Sequence, residues 1–227
     1  MTKKTIVIII ILAVSVIGIS IGLFLNKGTY VAKIDRYKVK PAEFYVYLYE
    51  QKRAFEDLGG ADIWEMEFDG EATEDIAKQN ALNTLVRVQV TCNHADIYQQ
   101  ALTSEDTADT AEAAEQLYEQ IGPEVTDALK IDVRLLTKIL NDKKLYEKVY
   151  EAITAGYKPD TAGFEDQWAQ GTAEDTAGGA DKDAAWQRYA AAGKETYFST
   201  LFNDWSKNIS VDKNQAIWDS IHIKDFE

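Results

Sequence analysis

The sequence predicts a mainly α-helical domain behind an N-terminal transmembrane helix, with a minor element of short strands and a C-terminal helix that completes the fold. Three observations carry this. An uncharged run dominated by Ile, Val and Leu extends from Thr5 to Leu25; apolar residues then recur at the spacing of a helix face along most of the chain; and Pro and Gly stand where helices begin and end.

At 1.5 Å rise per residue, a helix from Thr5 to Leu25 is about 31 Å long, which matches the hydrocarbon core of a bilayer. Lys3 and Lys4 precede it, the pattern of a signal anchor whose positive end stays in the cytoplasm, so the rest of the chain is expected outside the cell membrane. Lys27, Lys33, Arg36, Lys38 and Lys40 count the other way. The order of basic residues and apolar run, not the bare charge count, sets the expectation. Gly18-Ile19-Ser20 has the small-x-small form of a cleavage site, but the apolar run continues through Leu25, which favours an uncleaved anchor.

The expected organisation is therefore an anchor over 1–27, a helical domain over 28–157, an acidic Ala/Gly-rich linker over 158–194, and a C-terminal segment over 195–227 that packs back on the domain. Thr29 to Ile34 is β-branched and aromatic, and with Asp35 to Val39 it reads as one or two small strands around a turn. Pro41 opens a helix in which Phe44, Tyr47, Leu48, Phe55 and Leu58 share a face, and Gly59-Gly60 ends it. The stretch Asp62 to Gly70 reads as an irregular loop whose Trp64, Met66 and Phe68 tuck back onto the domain. Thr73 is the expected N-cap of a long helix running to about Ala101.

Thr103 or Ser104 caps a helix that extends to Ile121, and Gly122-Pro123 stops it and starts the next. One helix is expected over Val125 to Leu140 and another over Leu145 to Ile153, closed by Gly156. Beyond Lys158 aliphatic side chains nearly vanish, hence the linker, with a turn of helix around Phe164 and Trp168. Phe198, Leu201, Phe202 and Trp205 fall on one helical face that must dock. Ile209 and Val211 read as extended, Ile217 to Ile221 as a short helix or turn, and Ile223 to Phe226 as an extended tail that returns to the core.

The 227 residues carry a formal net charge of −14; setting aside Lys3, Lys4 and Lys27 leaves 21 basic against 38 acidic side chains, a net of −17. Such a surface repels phosphate backbones and no Lys/Arg stripe offsets it, so nucleic acid is excluded as a partner. Cys92 is the single cysteine and permits no internal disulfide. Cys92 and His94 stand two apart, about 200° round a helix, and cannot share a metal ion. The acids Glu105, Asp106, Glu112, Glu115 and Glu119 lack the glycine-punctuated spacing of a calcium loop and read as a solvated helix face. Phosphate loops, nucleophile elbows and zinc-protease helices are missing, so no cofactor, metal or catalytic residue is expected.

Aromatic residues are the unusual feature. Most belong to a core, while a concave aromatic surface would hold extended peptide in a sequence-tolerant way. The candidate peptide-binding residues on that reading are Tyr45, Tyr49, Trp64, Phe68, Trp205 and Trp218.

Three stretches together resemble the SurA/PrsA class of exported foldases: Val31 to Phe44 (VAKIDRYKVKPAEF), Trp64 to Gly70 followed by Thr73 and Ala81 to Val86 (ALNTLV), and Trp205 to Val211 with Ile217 to Ile221. The resemblance covers most of 30–157 and 195–223. It implies a SurA N-terminal-like chaperone core built from N- and C-terminal parts, acting on unfolded or newly exported polypeptides. Arg36 replaces a glycine common in the family's first turn, and a helix replaces the lipidated cysteine of the usual Gram-positive members. The stretch 158–194 is too short for the parvulin prolyl-isomerase domain that full members insert there, so isomerase activity is not expected. An adaptor docking one envelope partner, and a residual prolyl isomerase, are the alternative readings.

Overall fold

The computed structural model describes residues 30–170 and 181–226. They are mainly helical, as the periodicity predicts. The anchor expected over residues 5–25 lies outside the described residues; among those described, no helix is long and apolar enough to cross a membrane.

Strands β1 (Ala32–Ile34) and β2 (Tyr37–Val39) form the expected hairpin, with Ala32 opposite Val39 and Ile34 opposite Tyr37. Asp35 turns the chain at φ +51°, a conformation that aspartate tolerates better than most residues. Its carboxylate accepts the Ser210 backbone N–H at 2.9 Å, and its own N–H donates to the Ser210 carbonyl at 2.9 Å. That clasp seats β5 (Val211–Lys213) antiparallel on the other edge of β1, so the sheet order is β2-β1-β5. The central strand thus joins the two ends of the domain.

Helix α1 (Pro41–Gly59) starts on Pro41, whose missing N–H had no helical partner. It ends where Gly60 adopts φ +69° and donates its N–H to the Glu56 carbonyl. Phe44 to Leu48 are buried consecutively, so the start of the helix is enclosed on all sides. A 3-10 turn (Ala61–Glu65) follows, and then a hairpin of β3 (Glu67–Phe68) and β4 (Glu71–Ala72) instead of the expected irregular loop. Asp69 and Gly70 both have positive φ, the geometry of the tight turns that Asp-Gly favours.

Helix α2 (Thr73–Cys92) differs from expectation at both ends. Thr73 is its first residue and not its N-cap; the Thr73 hydroxyl donates to the Met66 carbonyl at 2.8 Å, tying the hairpin to the helix. The helix stops at Cys92 rather than near Ala101. The His94 ring takes the Val90 carbonyl through Nδ1 at 2.8 Å, and the His94 N–H turns to Thr91 instead, which tightens the chain into turns up to Gln99 at φ +55°.

Helix α3 (Ser104–Ile121) carries the expected cap, with Thr103 and Asp106 bonding each other's backbone N–H reciprocally. Pro123 then opens a short α4 (Pro123–Leu129). The next break falls at Lys130, in a left-handed conformation at φ +59°, with Asp132 capping α5 (Val133–Thr154) through the Leu135 N–H at 2.7 Å. The two helices expected over 125–140 and 145–153 are therefore divided elsewhere, and α5 runs unbroken through Asn141 to Lys144. Tertiary partners hold those polar residues in helix: Asn141 Oδ1 accepts from Thr110 at 2.6 Å, Asp142 accepts from Lys138 at 2.8 Å, and Lys143 pairs with Glu50.

The expected linker over 158–194 also needs correcting. Helix α6 (Thr161–Ala169) and the 25-residue α7 (Lys182–Ser206) occupy most of it, capped by Asp160 and Asp181. Alanine is the strongest helix former, so a stretch poor in aliphatic residues still winds once caps and a docking face are present. Residues 171–180 lie outside the described residues.

Phe198 of α7 is fully buried against Tyr146 and Tyr150 of α5, under the Arg87 guanidinium at 4.7 Å from its ring. Arg87 also donates to Glu195 at 2.5 Å and to the Tyr146 hydroxyl at 3.0 Å, locking α7 to α2 and α5. After β5 come α8 (Gln215–Trp218) and a 3-10 turn (Ile223–Phe226) in place of the extended tail. Ile217, Trp218, Ile221 and Ile223 enter the main core with Val31, Val39 and Phe44, so the chain's end does return to its beginning.

Candidate functional site

The far end of α1, the 3-10 turn, the β3–β4 hairpin and the first turn of α2 enclose an open apolar groove of about 560 Å³, lined by Phe55, Leu58, Gly59, Ile63, Met66, Phe68 and Ile76. Its floor is built by close approach. Ile63 is buried directly against the backbone of Gly59, where a Cβ would lie 2.7 Å from Ile63 Cδ1. Its walls stay open: Leu58 is 84% exposed, Met66 50% and Phe68 44%. Three large apolar side chains left to solvent around one concavity are the signature of a contact surface rather than of scattered surface residues.

Trp64 frames the groove. Its ring lies 5.7 Å from that of Phe55, and its Nε1–H donates to Glu56 at 3.0 Å. Glu56 also accepts from Lys52 at 2.6 and 2.8 Å. Burial pushes the Glu56 carboxyl up, but the Lys52 ammonium and the Trp64 N–H outweigh it and hold the group below the ordinary carboxylate range. The indole is therefore fixed in place by a charged acceptor.

The structure scatters the six aromatic candidates. Trp64 and Phe68 stand at the groove. Tyr45 and Trp218, 3% and 6% exposed, are core residues and offer no surface to a peptide. The Tyr45 hydroxyl donates to Asp225 at 2.5 Å with its ring edge on Phe226, and Trp218 packs 5.3 Å from Phe44 with Lys78 and Lys213 over its ring. Tyr49 is half-buried beside Phe226, and Trp205 is half-buried in a second cluster, stacked on His94 at 4.1 Å. Leu58 and Met66 complete the groove. Helical phase places Leu58, and size places Met66, in contact with the domain; both are instead exposed at the groove.

A larger cleft of about 710 Å³ lies between the β1–β2 turn, the end of α2 and Ser210. It is a more polar place, with Asp35, Arg36, Gln89, Asn93 and Ser210 in its lining. Beside it the Tyr37 hydroxyl donates to the buried Glu43 carboxylate, and Lys138 reaches Tyr37, Glu43 and Asp142 at 2.9, 3.3 and 2.8 Å. Burial first, and then the Glu43 acceptor, push the Tyr37 phenol up to about 12. Every member of this network has a partner, and it joins β2, α1 and α5 as a structural tie.

Cys92 and His94 take separate partners, the thiol donating to the Asp142 carbonyl at 3.1 Å. Burial, with the Asp142 carboxylate next, pushes that thiol up to about 12, which leaves it protonated and unreactive at neutral pH. Among the described residues no group of three or more His, Cys, Asp or Glu side chains is placed to hold a metal ion. The comparison of this chain with protein-family models, with curated proteins and with solved structures finds no match, and the site is read from its own geometry.

Proposed function

We propose that this chain is a membrane-anchored, chaperone-like protein that binds extended apolar segments of unfolded or newly exported polypeptides outside the cell membrane, without prolyl-isomerase catalysis. The groove at the tip of α1 carries the reading: Leu58, Met66 and Phe68 present exposed apolar surface around a concave floor. Contacts of this kind ask little of a partner's sequence, as binding many clients requires. The apolar run from Thr5 to Leu25 supports the anchor, and the resemblance of Val31 to Phe44 and of the closing segment to SurA/PrsA-type foldases supports the export setting. The sharing of one core by the two ends of the domain is in keeping with that resemblance.

The test is suppression of aggregation of a chemically unfolded client by the full chain held in lipid nanodiscs, at stoichiometric amounts. A Leu58→Ser/Phe68→Ser variant is expected to lose most of the protection while keeping its helical circular dichroism. Equal protection by the variant and the parent chain would remove the groove from the account. Photo-crosslinking from position 68 in cells separates the reading from its rival, since many heterogeneous products mark a chaperone and one discrete product marks a dedicated adaptor.

A further inference from the structure

The groove is apolar inside and acidic outside. From Ala54 to Ala77 the chain contains nine carboxylates and no Lys or Arg, and seven of the nine, Asp57, Asp62, Glu65, Glu67, Asp69, Glu71 and Asp75, are exposed. Glu67 and Glu71 lie on the hairpin strands that carry and face Phe68, with Asp69 in the turn between them. Within a Debye length of about 8 Å at physiological salt, such carboxylates act on whatever enters the groove. Resting on the reading of this groove as a peptide site, we infer that its occupant is a polypeptide segment with apolar residues flanked by Lys or Arg.

Charge decides among the possible occupants. A second copy of this chain carries the same net negative charge and is repelled, and anionic lipid headgroups are repelled for the same reason. A neutral apolar peptide gains only the apolar lining, the floor of Phe55, Ile63 and Ile76 and the walls of Leu58, Met66 and Phe68. A peptide with flanking cations gains that lining and the rim together. Exported chains present this pattern at their own beginnings, where basic residues stand directly before an apolar run. The rim also sets direction of selection, because an acidic flank is pushed away by the same carboxylates that attract a basic one.

The experiment uses the full chain in nanodiscs of a zwitterionic lipid and three fluorescent peptides of one apolar sequence, flanked by Lys, Ser or Glu. Anisotropy titrations at low salt are expected to rank them Lys, Ser, Glu, with about tenfold between the extremes, and to narrow the gap in concentrated salt. Glu67→Lys/Glu71→Lys is expected to abolish or invert the ranking with unchanged melting, whereas Glu112→Lys/Glu115→Lys on α3 leaves most of it in place. Equal binding of all three peptides, with Phe68→Ser weakening each, would overturn charge selection and keep the groove. Loss of the ranking in the α3 variant as well would assign it to overall charge and also overturn the inference. Binding that no peptide shows, or that Phe68→Ser leaves untouched, would overturn the groove reading itself.

Discussion

Truncating Trp218 to alanine measures how much the closing segment contributes to the domain. The ring is 6% exposed, and a buried tryptophan removes about 150–250 Å² from water, which at about 25 cal/mol per Å² gives about 4–6 kcal/mol as an upper bound. Measured Trp→Ala changes in cores lie at about 3–5 kcal/mol, cavity included. Two further effects act at this site. Phe44 loses a ring partner 5.3 Å away, and Lys78, itself buried, loses the aromatic face that lies 5.2 Å from its ammonium. Water entering the cavity offsets part of the second effect. A loss of about 4 kcal/mol is therefore expected, a large share of the roughly 5–15 kcal/mol that stabilises an ordinary domain. Urea unfolding followed at 222 nm is the assay, and with a slope of about 2.5 kcal/mol per molar the midpoint falls by about 1.5 M. Limited proteolysis should cut first near β5. A loss under about 1 kcal/mol, of the size expected at the surface, would refute the claim that the chain's end completes the core.

The remaining expectations concern buried polar groups. Glu43→Ala leaves the Tyr37 hydroxyl and one contact of Lys138 without their buried acceptor, and should cost about 2 kcal/mol in urea unfolding, less than a fully enclosed ion pair because Lys138 is partly exposed and keeps Asp142; a change within about 0.5 kcal/mol would count against the tie between hairpin and helices. Tyr37 is raised to about 12, and burial raises Tyr45 and Tyr47 as well, so the folded chain holds phenolic protons that the unfolded chain releases near pH 10. The stability they contribute is present below about pH 10 and is lost as pH rises through 12; the last of the tyrosinate absorbance should then appear together with loss of helix, and ionisation of all 12 tyrosines near pH 10 with the helix intact would contradict this. Cys92, with its thiol raised to about 12, should react with a thiol reagent at pH 8 at least about a hundredfold more slowly in the folded chain than in urea.

Features of this fold that depend on a few neighbouring residues were legible in the sequence. Pro41 and Pro123 start helices, Gly60 and Gly122 end them at positive φ, and of the two cap candidates Thr103 and Ser104 the first is the cap. Asp69-Gly70 carries the chemistry of a two-residue hairpin turn, but the strands it joins are only two residues long and too short to show a period. Features set at a distance were not. Whether α5 breaks at Asn141 depends on Thr110 and Glu50, on other helices, and α2 ends early because a histidine ring takes a carbonyl. The aromatic candidates divide for the same reason. Tyr45 is an interior residue because Asp225, 180 positions later, accepts its hydrogen bond, whereas nothing in the composition of the 60s tells Phe68 to remain outside. The groove was half visible, in Trp64 and Phe68. Its other wall needed the helix phase at Leu58 to be wrong.

Strand β1 has a consequence for the order of events after synthesis. Its second edge is sealed only by residues near the chain's end, as the bond between Asp35 and Ser210 across 175 positions records. A nascent chain therefore carries an unzipped edge until β5 has been made, and closing so wide a loop is an entropically late step. A product truncated before β5 lacks the Trp218 partner of Phe44 and cannot cover β1, and it exposes the sticky margin that sheet proteins otherwise conceal. Closure of the sheet is thereby coupled to the arrival of β5.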